Sequence, residues 1–199
     1  MDLDETKKRG YNQLETRRCE ELDRKYLSIK EPDKKYLSII LIVIITTMIG
    51  YFTYIEYRML QMDKYMSQAC EINDEKGEII DETDKRTIKG ELDEALANAD
   101  KIIEKQNKMI SFEEKAYKYA DGPYKELIGL YLKADRLYLE SYRSWKNGIE
   151  YMKKGDYFLA AENLKKEEEL STKGAIIYNE IHNFLSKHPE IKKHINKYW

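Results

Sequence analysis

Three histidines, His182, His188 and His194, and two cysteines, Cys19 and Cys70, supply this chain's imidazole and thiol chemistry. Histidines that share a metal ion on one helix stand at i and i+4, so that both rings face it. Here the steps are of six residues with Pro189 between the last two, which turns the rings apart, and no metal site is expected. Two thiols cannot build a disulfide framework, and any bilayer segment between Cys19 and Cys70 puts them in different compartments. Cys70 is expected to remain an unpaired thiol.

The carboxylates give no stronger signal. Glu113-Glu114 and Glu167-Glu168-Glu169 read as solvated helix faces, because no E-x-x-H pair is present to build a di-iron bundle site. The acids between Asp74 and Asp84 lack the spacing of an EF-hand loop. No nucleophile motif, glycine-rich phosphate loop or Cys/His array occurs, so neither an enzyme nor a bound cofactor is expected. Nor is nucleic acid an expected partner: 35 Lys and Arg stand against 37 Asp and Glu, with no cationic stripe.

Aromatic residues offer a clearer pattern. Tyr124, Tyr131, Tyr138, Trp145 and Met152 recur at steps of seven, with Tyr142 beside them, on a helix expected from Tyr124 to about Lys153. A ring stripe at heptad spacing packs into a core or stacks on a ligand, and the core is the expectation, since rings bury their bodies while hydroxyls reach the rim. The excess of tyrosine over phenylalanine, 17 to 4, favours many rim hydroxyls. Tyr124, Tyr131, Tyr138, Tyr142 and Trp145 are therefore the candidate partner-contact face.

These residues must be held by elements, and the strongest element is Tyr36 to Ile55, a run through Ile45 without one charged side chain. At about 1.5 Å per residue such a helix spans a hydrocarbon layer of roughly 30 Å. It is too far from the N-terminus, and too poorly followed, for a cleaved signal peptide. It reads as a signal-anchor in the lipid bilayer of the cell membrane. Arg24, Lys25, Lys30, Lys34 and Lys35 precede it, whereas only Arg58 and Lys64 follow closely. The positive-inside rule puts the N-terminus in the cytoplasm and the C-terminal domain outside.

Residues 1–35 form a charged tail with a partly helical stretch from about Tyr11 to Ile29, ended by Pro32. An echo, Lys25 to Ile29 and Lys35 to Ile39, suits the membrane surface. Beyond the span, Ile55, Met59, Met62, Met66 and Ala69 keep one apolar seam, which predicts a helical stalk over 56–72. Its partner is a later helix of the same chain or a second copy. A polar linker is expected over 73–87, then an α-helical domain over 88–199. In that domain Ile88, Leu92, Ala95, Ala99 and Ile102 form a stripe, the S-x-x-E sequence Ser111 to Glu114 suggests a helix restart, Asp121-Gly122-Pro123 and Lys154-Gly155-Asp156 make turns, and His188-Pro189 makes a break.

Gly148, Tyr151, Gly155-Asp156-Tyr157, Ala160 and Leu164 together resemble a tetratricopeptide (TPR) repeat. The family uses such positions to hold two antiparallel helices together, small residues allowing close approach and the turn glycine supplying backbone freedom. The resemblance covers one repeat, about residues 144–172, and Ser144, Asn147, Glu167 and Thr172 depart from the pattern. It implies a helical hairpin and protein or peptide binding.

The expected fold is all-α, a single transmembrane helix continuing into a helical bundle with antiparallel, TPR-like hairpins. The expected function is a membrane-anchored scaffolding or protein–protein interaction module, with a second protein or another copy as partner. The alternative is an extracytoplasmic sensor that signals through the transmembrane helix to a separate cytoplasmic partner.

Overall fold

The computed structural model describes residues 34–199, which form five α-helices and no strand among the described residues. They are α1 (Lys34–Lys89), α2 (Leu92–Tyr119), α3 (Gly122–Lys153), α4 (Tyr157–Lys187) and α5 (Pro189–Tyr198). The tail helix, the echo and Cys19 lie outside these residues, apart from the echo's second half. Internal packing divides the chain into two units, Met1–Thr53 and Tyr54–Trp199.

In the first unit the apolar run is one face-to-face sequence of exposed aliphatic and aromatic side chains from Tyr36 to Phe52. It is long and apolar enough to cross a membrane. Its threonine hydroxyls are satisfied within the helix: Thr46 donates to the carbonyls of Ile42 and Val43 at 2.9 and 3.0 Å, and Thr47 donates to Val43 at 2.7 Å. Such back-bonding leaves these threonines in no need of water.

The second unit is a helical bundle. Its seam on α1 begins about two turns later than the sequence suggests, because Ile55 and Met59 stay exposed while Met62, Met66 and Ala69 are buried. Later helices of the same chain cover it: Met62 and Met66 pack with Ile110, Ala116, Ile128 and Leu132. Nor does the helix end at residue 72. The stretch 73–87, expected as a polar linker, is helical. The stretch holds no proline and a single glycine, Gly77; Glu82 and Arg86 bridge one turn at 2.6 Å, and the seam continues through buried Ile72, Lys76 and Thr83. Gly90, at φ 77°, ends the helix in a left-handed conformation that costs glycine little.

α2 also runs without the expected restart at Ser111. Glu114, which would complete a capping box, instead meets Arg136 of α3 at 2.8 Å. The buried stripe Ala95, Asn98/Ala99, Ile102, Gln106, Met109, Glu113, Ala116 and Ala120 keeps steps of three and four along the whole helix. Ile88, by contrast, stands outside the core.

The α2–α3 corner is tied to α1 by one side chain. Arg58 bonds Asp121 at 2.6 Å and donates through Nε to the Tyr119 carbonyl at 3.1 Å. That carbonyl is one of those left over where α2 ends.

α3 and α4 form the closest helix pair, and α2 with α3 the next. A Cβ on Gly148 would lie 3.0 Å from Leu164 and 3.4 Å from the Ala160 carbonyl, so the glycine permits this approach. Gly155, at φ 77°, makes the turn, and Asp156 caps α4 by accepting from the Leu159 amide at 3.1 Å. Ala160 is buried, whereas Tyr157 and Ala161 face solvent. Ile191 of α5 completes the far core with Leu127, Ile181 and Phe184. The backbone of α1 approaches no neighbour as closely as α3 approaches α4, and long side chains bridge the gap. Space remains along it.

Candidate functional site

That space holds a cluster of polar residues in helical register with the apolar stripes. Lys76 on α1, Gln106 and Glu113 on α2, and Asp135 on α3 are each at most 5% exposed. They are bonded in series. Lys76 donates to Gln106 Oε1. Gln106 Nε2 donates to the Asp135 carbonyl at 2.9 Å and to its Oδ1 at 3.2 Å. Tyr178 of α4 donates to the same Oδ1 at 3.2 Å.

The Glu113 carboxyl lies beside that of Asp135, and two such neighbours disfavour ionising together. Burial, with the neighbouring Asp135 charge, pushes Glu113 up to about 10, so it holds its proton at neutral pH. No donor from the protein reaches its Oε2, which is shielded from solvent. Lys76 is shifted down by burial, against the pull of Asp135 and Glu113. Tyr131 is pushed up to about 12, and Tyr142 and Tyr178 are also raised, mainly by burial. All three phenols stay protonated at neutral pH, and that of Tyr178 donates to Asp135.

Two cavities flank this network. One, of about 270 Å³, is lined by Cys70, Glu113, Tyr131, Asp135, Tyr178 and Trp199, with Met66, Met109 and Ile195 as apolar wall. The other, of about 340 Å³, is lined by Lys76, Asp135, Tyr138, Tyr142 and Tyr178. Asn73, exposed on α1, borders both. The rings meet at angles: Tyr131 lies edge-on to Tyr178 at 6.0 Å and to Trp199 at 6.5 Å. Lys76 stands 5.6 Å from the Tyr142 ring.

The rings singled out as a partner-contact face all lie on α3 and are half-buried. Tyr124 joins both main core clusters, and so does Tyr131. Tyr138 sits against Gly174, where a Cβ would come within 2.8 Å of its ring. Tyr142 covers Lys76, and Trp145 is half-buried farther along the helix. Tyr36, Ile45 and Ile55 are exposed on α1.

Glu113 was expected on a solvated face and is instead 3% exposed, because it falls on the α2 stripe seven residues after Gln106. Glu114 is exposed as expected, and Glu167 accepts from the Ser141 hydroxyl at 3.1 Å. The histidines serve three separate contacts: His182 is exposed, His188 stacks on Phe184 at 4.4 Å, and His194 meets Asp63 at 2.8 Å. Among the described residues no three His, Cys, Asp or Glu side chains are grouped to hold a metal ion. Cys70 is a free thiol, pushed up by burial and by nearby acids, above all Asp74.

The described part of the chain is an all-α bundle preceded by one apolar helix. No family model, curated protein or solved structure matches it.

Proposed function

We propose that this is a single-pass membrane protein, N-terminus in the cytoplasm, whose Tyr54–Trp199 domain binds a small ligand outside the cell and signals through Tyr36–Ile55 to a separate cytoplasmic partner. The observation that carries this reading is the cavity built around Glu113 and Asp135, with a buried carboxyl oxygen that no protein donor reaches. Polar groups are seldom buried without partners, and sites that keep them so are commonly sites of binding. The helix forming one cavity wall through Met66, Ala69, Cys70 and Asn73 is also the helix that carries the apolar run. A ligand that favours one position of that wall has a direct covalent route to the span. The five cations before the span against two after it support the orientation.

A thermal-shift screen of the full chain in lipid nanodiscs, against cationic, neutral and anionic small metabolites, tests this reading. A ligand at 100 times its dissociation constant adds about 2.7 kcal/mol. The expected result is at least one saturable stabilising class that also protects Cys70 from maleimide. Absence of any stabilising compound overturns the sensor reading.

A second reading, a protein-interaction module, draws on the other end of the bundle. Tyr157, Phe158 and Ile88 are more than 70% exposed there. An ion pair between Lys153 and Asp93 draws the α3–α4 turn toward the start of α2. The TPR-like hairpin, with Gly148 packed on Ala160 and Leu164, supports this alternative. Phe158→Asp then abolishes capture of a specific partner in native-membrane crosslinking, while a pattern of neighbours unchanged by the substitution counts against it.

A further inference from the structure

Resting on the ligand-binding reading, we infer that the cavity beside Glu113 takes a small primary amine as its ammonium ion, one positive charge on a short apolar body. Three features of the cavity select that chemistry. Its polar floor is a pair of carboxyl groups, Glu113 and Asp135, of which Glu113 Oε2 lacks any donor from the protein. An anion is repelled by this floor, and a quaternary ammonium has no N–H to offer it. Its walls include three rings, Tyr131, Tyr178 and Trp199, and aromatic faces attract a desolvated cation. Its remaining surface comes largely from Met66, Ala69, Met109 and Ile195, which suit a hydrocarbon body.

Charge and size narrow the choice. With both carboxyls ionised, the single Lys76 ammonium leaves one negative charge unmatched, room for one ligand cation. A second ammonium would meet Lys76 across Asp135, so a diamine is disfavoured. The volume, about 270 Å³, lies just under the 300 to 1,000 Å³ common for drug-sized ligands, so the body has on the order of ten non-hydrogen atoms.

Binding is coupled to a proton. In the free protein Glu113 keeps its proton up to about 10. The charged and titratable groups around it are Cys70 and Lys76 from α1, Tyr131, Asp135 and Arg136 from α3, and Tyr178 from α4. A ligand ammonium replaces that proton and releases one H⁺ for each amine bound. Aliphatic ammonium ions keep their own proton to roughly the same pH. Apparent affinity therefore tightens about tenfold for each pH unit between 6 and 8.

Isothermal titration of the full chain in nanodiscs tests this, using phenethylamine, its neutral analogue 2-phenylethanol, the anion 3-phenylpropionate, and putrescine. Phenethylamine is expected to bind saturably, to release one proton by comparison of buffers with different ionisation heats, and to weaken at least tenfold in Glu113→Gln. Unfolding melts establish in parallel that this variant is folded. Equal or tighter binding of the alcohol, the carboxylate or putrescine, or amine affinity independent of pH, overturns the amine assignment. If the alcohol or carboxylate binds saturably, the sensor reading stands without it. If no compound of any class stabilises the protein, both fall.

Discussion

Replacing Glu113 by glutamine is expected to stabilise the folded domain, and by more as pH rises. In the unfolded chain this carboxyl titrates at its ordinary value of 4.5, whereas in the fold it titrates at about 10. Below 4.5 both states carry the proton, so its full contribution is present. Between those values the native state holds a proton that the unfolded chain releases, and stability falls by about 1.4 kcal/mol per pH unit. At pH 7, two and a half units above the lower value, the cost is about 3 kcal/mol. Glutamine is nearly isosteric with the protonated acid and can donate from its amide to Asp135, so it keeps the contact without needing the proton. For a domain of this size 1 kcal/mol shifts the melting temperature by roughly 2–4 °C, giving about 10 °C at pH 7. Both tryptophans, Trp145 and Trp199, lie in the bundle, so their fluorescence follows its unfolding in the full chain. Melts at pH 4.5, 6, 7 and 8.5 should show the two proteins converging at the acid end and separating steadily above it. A constant offset at every pH, or a glutamine variant less stable at pH 7 and above, would refute the protonated-acid account.

Other substitutions test the packing. Gly174→Ala forces the Tyr138 ring to move from a 2.8 Å overlap, and that ring is hemmed by Tyr142 and Tyr178. A net loss of about 1–2 kcal/mol is expected in thermal melts despite alanine's better helix propensity. Arg58→Ala should cost about 1–2 kcal/mol, because it frees the Tyr119 carbonyl as well as Asp121, while Asp121→Ala should cost under about 1 kcal/mol at its exposed site. Equal losses in the two variants would mean that the ion pair carries the whole effect. Asp63→Ala removes the acceptor shared by Trp199 Nε1, at 2.9 Å, and His194, at 2.8 Å. Release of α5 should then red-shift the Trp199 emission in a Trp145→Phe background and speed exchange of α5 amides. An unchanged spectrum would show that Ile191 alone anchors the helix.

Much of the bundle could be read from periodicity. The α3 stripe, the Gly155-Asp156 turn and the Pro189 start of α5 all depend on spacing and on local backbone chemistry. The same spacing held an unused signal: Lys76, Gln106, Glu113 and Asp135 each stand where their helix's apolar register requires a buried residue. Reading 73–87 by composition alone made a linker of a helix, because charged residues with long stems can cover or even enter an apolar seam. Residue type alone likewise points Glu113 to solvent, although its place seven residues after Gln106 puts both on one face.

By itself the sequence determined the charge-free run from Tyr36 to Ile55, the all-helical class and most helix ends, since these rest on interactions within a few residues along the chain. Only the tertiary structure decided that the α1 seam is covered by the same chain and that two carboxyls from α2 and α3 meet beside a lysine from α1. Those outcomes depend on how closely whole helices approach. Gly148 lets α3 and α4 close together, while the bulk of Met62, Met66 and Lys76 spans a wider gap along α1, and the cavities lie in that gap.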